Sequence, residues 1–249
     1  MRYFLLLIIL LSPVFPTVQA QTKIEQIFQD PITNKSGKYT VKFSARAAAK
    51  SQGLLAFFHG SGNTSGYAGV FDALEAVAKE FNLVPLAIQA PNNAITWPDK
   101  AIGPSNQHVA YVKSLLERVI FNAHPEMAKD RSIFVGFSAG STFLSGDFLP
   151  AQIDQFKGGA ILLCGGGGPV AQSPSIYQVL PPTIAQNFRF HVYIQKNDFL
   201  LGQTTQGVSY WKSRGAQVSF ETPDGGGHCA FDFAKELQRA MGIVLNRRG

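Results

Sequence analysis

The stretch from Ser132 to Leu144 constrains the fold more than any other part of the chain. Ser132-Ile133-Phe134-Val135 is β-branched and apolar, which reads as a buried strand. Gly136-Phe137-Ser138-Ala139-Gly140 follows at once, and Ser141-Thr142-Phe143-Leu144 reads as a first helical turn. A serine set between small residues, with a strand before it and a helix after it, fits a nucleophile elbow. Such a turn forces the serine into a strained backbone conformation. Glycines are then needed two residues to either side, where strand and helix pack closely. In return the hydroxyl is lifted above the sheet edge, and the next backbone N–H is aimed at a developing oxyanion. In a chain with 24 glycines the same five residues also arise in ordinary Gly-rich strand–helix connections, so the flanking segments have to carry the assignment.

Those segments alternate. Gly53 to His59 and Gly158 to Cys164 are continuous apolar runs, as in strands covered on both faces. Leu83 to Ile88, Arg189 to Ile194 and Gln217 to Glu221 are further strands, the first weakened or displaced by Pro85. Tyr39 to Ser44 alternates as an early, half-exposed strand. Helical spacing links Val70, Phe71, Leu74, Val77 and Phe81, then Val109, Val112, Leu116, Val119 and Ile120, and finally Phe233, Leu237, Met241 and Val244. Residues 203–213 are a further helix candidate. Strands that alternate with helices from residue 53 onward predict an α/β class: a mostly parallel central sheet with helices on both faces. In open sheets of this kind, functional residues gather on loops beyond the C-terminal ends of the strands.

The rest of the sequence narrows the class. Residues 1–20 read as a signal peptide, with Arg2 as the positive start, Phe4 to Leu11 as the apolar core and Val18-Gln19-Ala20 as the cleavage site. Pro13 and Pro16 interrupt the apolar run short of the ~20 residues a membrane span needs, so no membrane anchor is expected. Residues 21–249 then suffice for a single domain with a full core and are short for two. The net charge of +6 comes from scattered Lys and Arg rather than one basic element, which argues against a nucleic-acid partner. No His/Cys/Asp cluster has metal-ligand spacing, and no phosphate-binding Gly motif follows the first long strand, so neither metal nor cofactor is expected. Nothing in the sequence sets an oligomeric state.

Ser138, Asp198 and His228 each follow the C-terminal end of a strand, in that chain order. With His59-Gly60-Ser61-Gly62, Asp130 to Ser141, Asn197-Asp198 and Gly227-His228, the chain resembles the α/β-hydrolase superfamily over roughly residues 39–245. It is similar in particular to secreted esterases of the polyhydroxybutyrate-depolymerase, feruloyl-esterase and carboxylesterase kind. The resemblance implies an α/β-hydrolase fold with no large lid domain, and a Ser138 nucleophile served by His228 as base and Asp198 as its orienter. It also implies an oxyanion hole made by the Ala139 N–H and an N–H of the His59 turn, Ser61 first and Gly62 second.

Each assignment has a rival. Asp224 reads as a turn residue and Asp232 as part of the first turn of the closing helix. His59 belongs to the oxyanion turn and orients it. His108 and His124 flank a helix and read as surface residues, and His191 lies inside a strand. Trp97, Phe137, Tyr67 and Phe199 sit in or beside the site loops, where they line an acyl or aromatic pocket or else belong to the core. Cys164 ends a strand and Cys229 adjoins His228, so both face the site. They form either a disulfide closing a loop of about 65 residues or two buried thiols. The leading reading is a secreted or periplasmic serine hydrolase that cleaves small-molecule or polymer-borne carboxylic esters through an acyl-enzyme. A peptidase or amidase on the same fold and a non-catalytic binding protein are the alternatives. The lack of a large lid points to an open pocket, with the Pro-rich stretch 169–187 as a candidate small flap.

Overall fold

The computed structural model describes residues 23–43, 52–62, 66–97, 107–169 and 180–246. The proposed signal peptide, Ser44 at the end of the first expected strand, and most of the candidate flap lie outside the described residues.

Among the described residues eight strands form one sheet: β1 (Ile24–Gln29), β2 (Ser36–Val41), β3 (Gly53–Phe58), β4 (Leu83–Ile88), β5 (Ile133–Phe137), β6 (Gly159–Leu163), β7 (Arg189–Tyr193) and β8 (Gln217–Glu221). Their order is β1-β2-β4-β3-β5-β6-β7-β8. The β1–β2 and β2–β4 pairs are antiparallel, and every pair from β4 to β8 is parallel. The main helices are α1 (Phe71–Phe81), α2 (Gln107–Leu115), α3 (Ala139–Phe143), α4 (Leu201–Ser213) and α5 (Phe233–Val244). The α3 helix runs on through a π-type turn at Leu144–Phe148 and a last turn at Leu149–Gln152.

The two-residue period of the strands divides the core. Leu54, Ala56 and Phe58 of β3 join Phe134, Leu162 and Phe190 beneath α2, α3 and α4. Leu55 and Phe57 join Ile133, Val135, Ile161 and Leu163 beneath α1 and α5. Both faces are therefore dry, which is why β3 and β6 read as unbroken apolar runs. The helices supply matching stripes: Phe71, Leu74, Val77 and Phe81 from α1, and Leu237, Met241 and Val244 from α5. Asp232 caps α5, its carboxylate accepting from the Lys235 N–H at 3.1 Å.

Three local differences from the sequence reading have physical causes. β1 was not expected. It is an edge strand in which Ile27 faces solvent, so it lacks a clean alternation. β2 begins earlier, at Ser36, because it is paired to β1 as far as that residue. Pro85 stands inside β4 at no cost to the ladder. Its carbonyl accepts from the Lys42 N–H on the β2 side, past Val41–Leu86, the last residue pair of β2 with β4. The missing N–H therefore points where β2 has already ended. Among the described residues no helix is long and apolar enough to cross a membrane.

Candidate active site

The central parallel strands set the site's geometry. At the end of β5 Ser138 adopts φ 51° and ψ −113°, a left-handed conformation that a non-glycine residue occupies under strain. The flanking glycines are sterically required. A Cβ on Gly136 would lie 2.5 Å from the Ser141 backbone, and one on Gly140 would lie 2.1 Å from the Phe58 carbonyl oxygen. Neighbouring strands hold the turn. The Ser138 N–H donates to the Leu163 carbonyl at 2.9 Å, and the Ser141 hydroxyl donates to the same oxygen at 2.9 Å. Gly165 packs directly beneath, its missing Cβ 2.6 Å from the Ser138 carbonyl oxygen.

From this turn the Ser138 Oγ reaches the His228 Nε2 at 2.8 Å, and the His228 Nδ1 reaches the Asp198 Oδ2 at 2.8 Å. The carboxylate can only accept, so Nδ1 carries the proton and Nε2 accepts from the serine hydroxyl. The Asp198 side chain is fully buried, and its second oxygen accepts from the Leu200 N–H at 2.9 Å. The loops that carry Asp198 and His228 are laced together. The Lys196 N–H donates to the Pro223 carbonyl, the Gln195 amide to the Ala230 carbonyl and the Asn197 amide to the Gly225 carbonyl. The Cys164–Cys229 disulfide, with Cα atoms 5.2 Å apart, ties the residue after His228 to the end of β6. Both cysteines have positive φ, 45° and 58°. Asp224 is an exposed loop residue paired with Lys196 at 2.8 Å.

The turn after β3 faces the serine hydroxyl. His59 is buried; its Nε2 accepts from the Ala90 N–H at 3.0 Å, and its Nδ1–H donates to the Gly60 carbonyl at 2.7 Å. Burial holds this imidazole below its ordinary pKa against the opposing pull of the Gly60 carbonyl, so it is neutral and acts as a brace. The Gly62 N–H is committed to the Ile95 carbonyl at 2.7 Å, which removes Gly62 as an oxyanion donor. The N–H groups of Ser61 and Ala139 have no acceptor among the described residues. Ala139 opens α3, where no carbonyl four residues back is in the helix. The Ser61 hydroxyl donates to Thr96 Oγ1 at 2.9 Å, fixing the turn to the neighbouring loop.

A cleft of about 350 Å³ opens beside Ser138. Phe57, Val70, Phe137, Phe233 and the Cys229 half of the disulfide make its apolar walls, and Ser61 and His228 its polar rim. No Lys, Arg, Asp or Glu lines it among the described residues. Of the four aromatic residues expected in the pocket, Phe137 lines it. Phe199 stands at the mouth, 76% exposed, with its ring 4.6 Å from the His228 imidazole. Trp97 and Tyr67 do not. Trp97 is fully buried and stacked on Phe143 at 5.0 Å, because its loop folds back over the α3 side of the sheet. Tyr67 is buried among the α1-side core residues, with its hydroxyl bonded to Glu25 of β1. His108 is likewise no surface residue: it is buried, and its Nδ1–H donates to the Trp97 carbonyl at 2.6 Å. Phe57, Val70 and Phe233 were legible only as core positions, since they carry the periodic spacing of their elements.

No family model and no curated protein matches the chain. Solved structures do. A ferulic acid esterase superposes with a TM-score of 0.68 at 15% identity, over 92% of this chain and 99% of its own. A thermostable esterase superposes with a TM-score of 0.68 at 17% identity, over 90% of this chain and 62% of its own. The S-formylglutathione hydrolase from Agrobacterium tumefaciens follows with a TM-score of 0.64 at 12% identity, over 92% and 96%. The chain has the α/β-hydrolase fold.

Proposed function

We propose that the protein is a serine hydrolase that cleaves carboxylic esters through an acyl-enzyme. The observation that carries this is the continuous relay from Ser138 through His228 to a buried Asp198, both links at 2.8 Å, beside two N–H groups, of Ser61 and Ala139, that have no acceptor among the described residues. Ser138 attacks the ester carbonyl as its proton passes to His228 Nε2. The oxyanion that forms is held by the Ser61 and Ala139 N–H groups, each worth roughly 2.7–4 kcal/mol of barrier. The imidazolium, stabilised by Asp198, then protonates the leaving alcohol. Water repeats the sequence in reverse to release the acid. The walls of Phe57, Val70, Phe137 and Phe233 favour an uncharged, apolar acyl group. The names of the neighbouring structures, two esterases and an S-formylglutathione hydrolase, support the same reading.

The test is labelling with a serine-directed fluorophosphonate, followed by a panel of aryl esters of increasing acyl length, hydroxycinnamate esters, polyester film and matched amides. Wild type labels and turns over esters, and Ser138→Ala does neither. Equal turnover by both would remove Ser138 from the reaction, and faster amide than ester turnover would make the protein an amidase. We also propose export with cleavage after Ala20, supported by residues 1–20 and by a disulfide suited to an oxidising compartment. A mature N-terminus at Gln21 is the mass-spectrometric check.

A further inference from the structure

The sequence reading finds no His/Cys/Asp cluster with metal-ligand spacing, yet the fold brings Cys164, His228 and Cys229 together. Both sulfurs and one His228 ring nitrogen lie within 4.8 Å of one another. We propose that the disulfide covers a latent metal site. On this reading, reductive opening of the bridge frees a Cys₂His ligand set for a borderline or soft divalent cation such as Zn²⁺, and the bound cation takes His228 away from Ser138. Tetrahedral zinc, with Zn–S near 2.3 Å and Zn–N near 2.0 Å, holds its ligand atoms roughly 3.5–3.8 Å apart. The three side chains are therefore within reach of that arrangement by rotation about their own bonds. His228 and Cys229 line the cleft, so a cation has a way in. Three protein ligands leave a fourth position for water or for a neighbouring oxygen.

Loss of activity follows whichever ring nitrogen binds. Nδ1 is the link to Asp198 and Nε2 the link to Ser138, so ligation of either breaks the relay. With the bridge closed the sulfurs carry no thiolate charge, and a lone imidazole remains as ligand. The chemistry balances with a phosphine reductant. The phosphine gives two electrons to the S–S bond, water supplies the oxygen of the phosphine oxide, and two thiols result. Zn²⁺ then displaces the two thiol protons. The bridge thus protects the base as well as holding it. Only the loss of activity rests on the proposed hydrolase reading, because the metal site itself does not.

The experiment treats the folded, oxidised protein with tris(2-carboxyethyl)phosphine, removes the reductant without air, and titrates Co²⁺ and then Zn²⁺. The reduced wild type is expected to bind about one Co²⁺ per chain with a thiolate-to-metal charge-transfer band, and Zn²⁺ to displace it. The oxidised protein and a Cys164→Ser/Cys229→Ser double variant should show no band, and reduced His228→Asn should bind at least about tenfold more weakly. About one equivalent of Zn²⁺ should remove the ester hydrolysis left in the reduced protein, and chelation should restore it. The proposal is overturned by a folded, reduced chain without the band, by equal affinity in His228→Asn, or by equal binding in the oxidised form. It is also overturned if reduction abolishes the near-ultraviolet dichroism and Co²⁺ does not bring it back. Fluorophosphonate labelling of the oxidised protein reports the hydrolase reading separately.

Discussion

Removing the bridge should weaken the whole molecule and, separately, misplace the base. Cys164 and Cys229 are 65 residues apart in sequence. In the chain-entropy treatment, a cross-link closing that loop withdraws roughly 14 cal/mol/K from the unfolded ensemble, or about 4 kcal/mol at 25 °C. That is a large fraction of the 5–15 kcal/mol that typically separates a folded domain from its unfolded chain. Activity should fall for a second reason. The bridge holds Cys229 at φ 58°, on the other side of His228 from Gly227 at φ 123°, and so sets where His228 stands. Relaxation of this turn by about 1 Å lengthens the Ser138–His228 contact and should lower kcat about a hundredfold. The assay is urea unfolding and ester kinetics of oxidised wild type, phosphine-reduced wild type kept metal-free, and Cys164→Ser/Cys229→Ser. Both opened forms should lose about 4 kcal/mol relative to the oxidised form. A loss below about 1 kcal/mol in both, at unchanged denaturant slope, would refute the entropic reasoning. An unchanged kcat would show that the lacing of the acid and base loops places His228 without the disulfide.

Three further outcomes follow from the geometry. Asp198→Asn keeps the shape but can donate to Nδ1, which favours the wrong imidazole tautomer, so kcat should fall about ten-thousandfold with little change in fluorescence or dichroism. Gly140→Ala drives a Cβ to 2.1 Å from the Phe58 carbonyl, and neither β3 nor α3 can retreat, so thermal or urea unfolding should report a loss of about 3 kcal/mol. His59 is held below its ordinary pKa of 6.5 by burial, so as pH falls below that value the unfolded chain takes up a proton that the folded state refuses. Its contribution is present above 6.5 and is lost as pH drops towards the depressed folded value; His59→Gln should flatten that part of the stability–pH curve.

Much of this architecture was written in local pattern. β3, β5 and β6 announce themselves because both of their faces are covered, and Gly136 and Gly140 because no larger residue fits against Ser141 and Phe58. The order of Ser138, Asp198 and His228 along the chain pointed to their meeting place, since each follows a parallel strand. What stayed hidden depends on which face of an element ends up beside the cleft. Phe57 and Phe233 carry the same periodic spacing as core residues, and periodicity cannot say that they border an opening. Trp97 and Tyr67 lie near the site in sequence, but the folding of their loops turns both rings inward. The alternatives for the cysteines, bridge or thiols, turned on a 5.2 Å Cα separation that only the assembled β6 and base loop define.

The cross-ties between the acid and base loops reach beyond alignment. Serine, imidazole and carboxylate are each referenced to one of three adjacent strands, β5, β6 and β7, by hydrogen bonds or by the covalent bridge. With the bridge closed, each is therefore tied to the sheet rather than to its own loop alone. Warmed with its bridge closed, such a molecule should pass through no stage at which it is intact but idle: its working parts should come apart only when the sheet beneath them does, so that heat silences it and melts it in a single event.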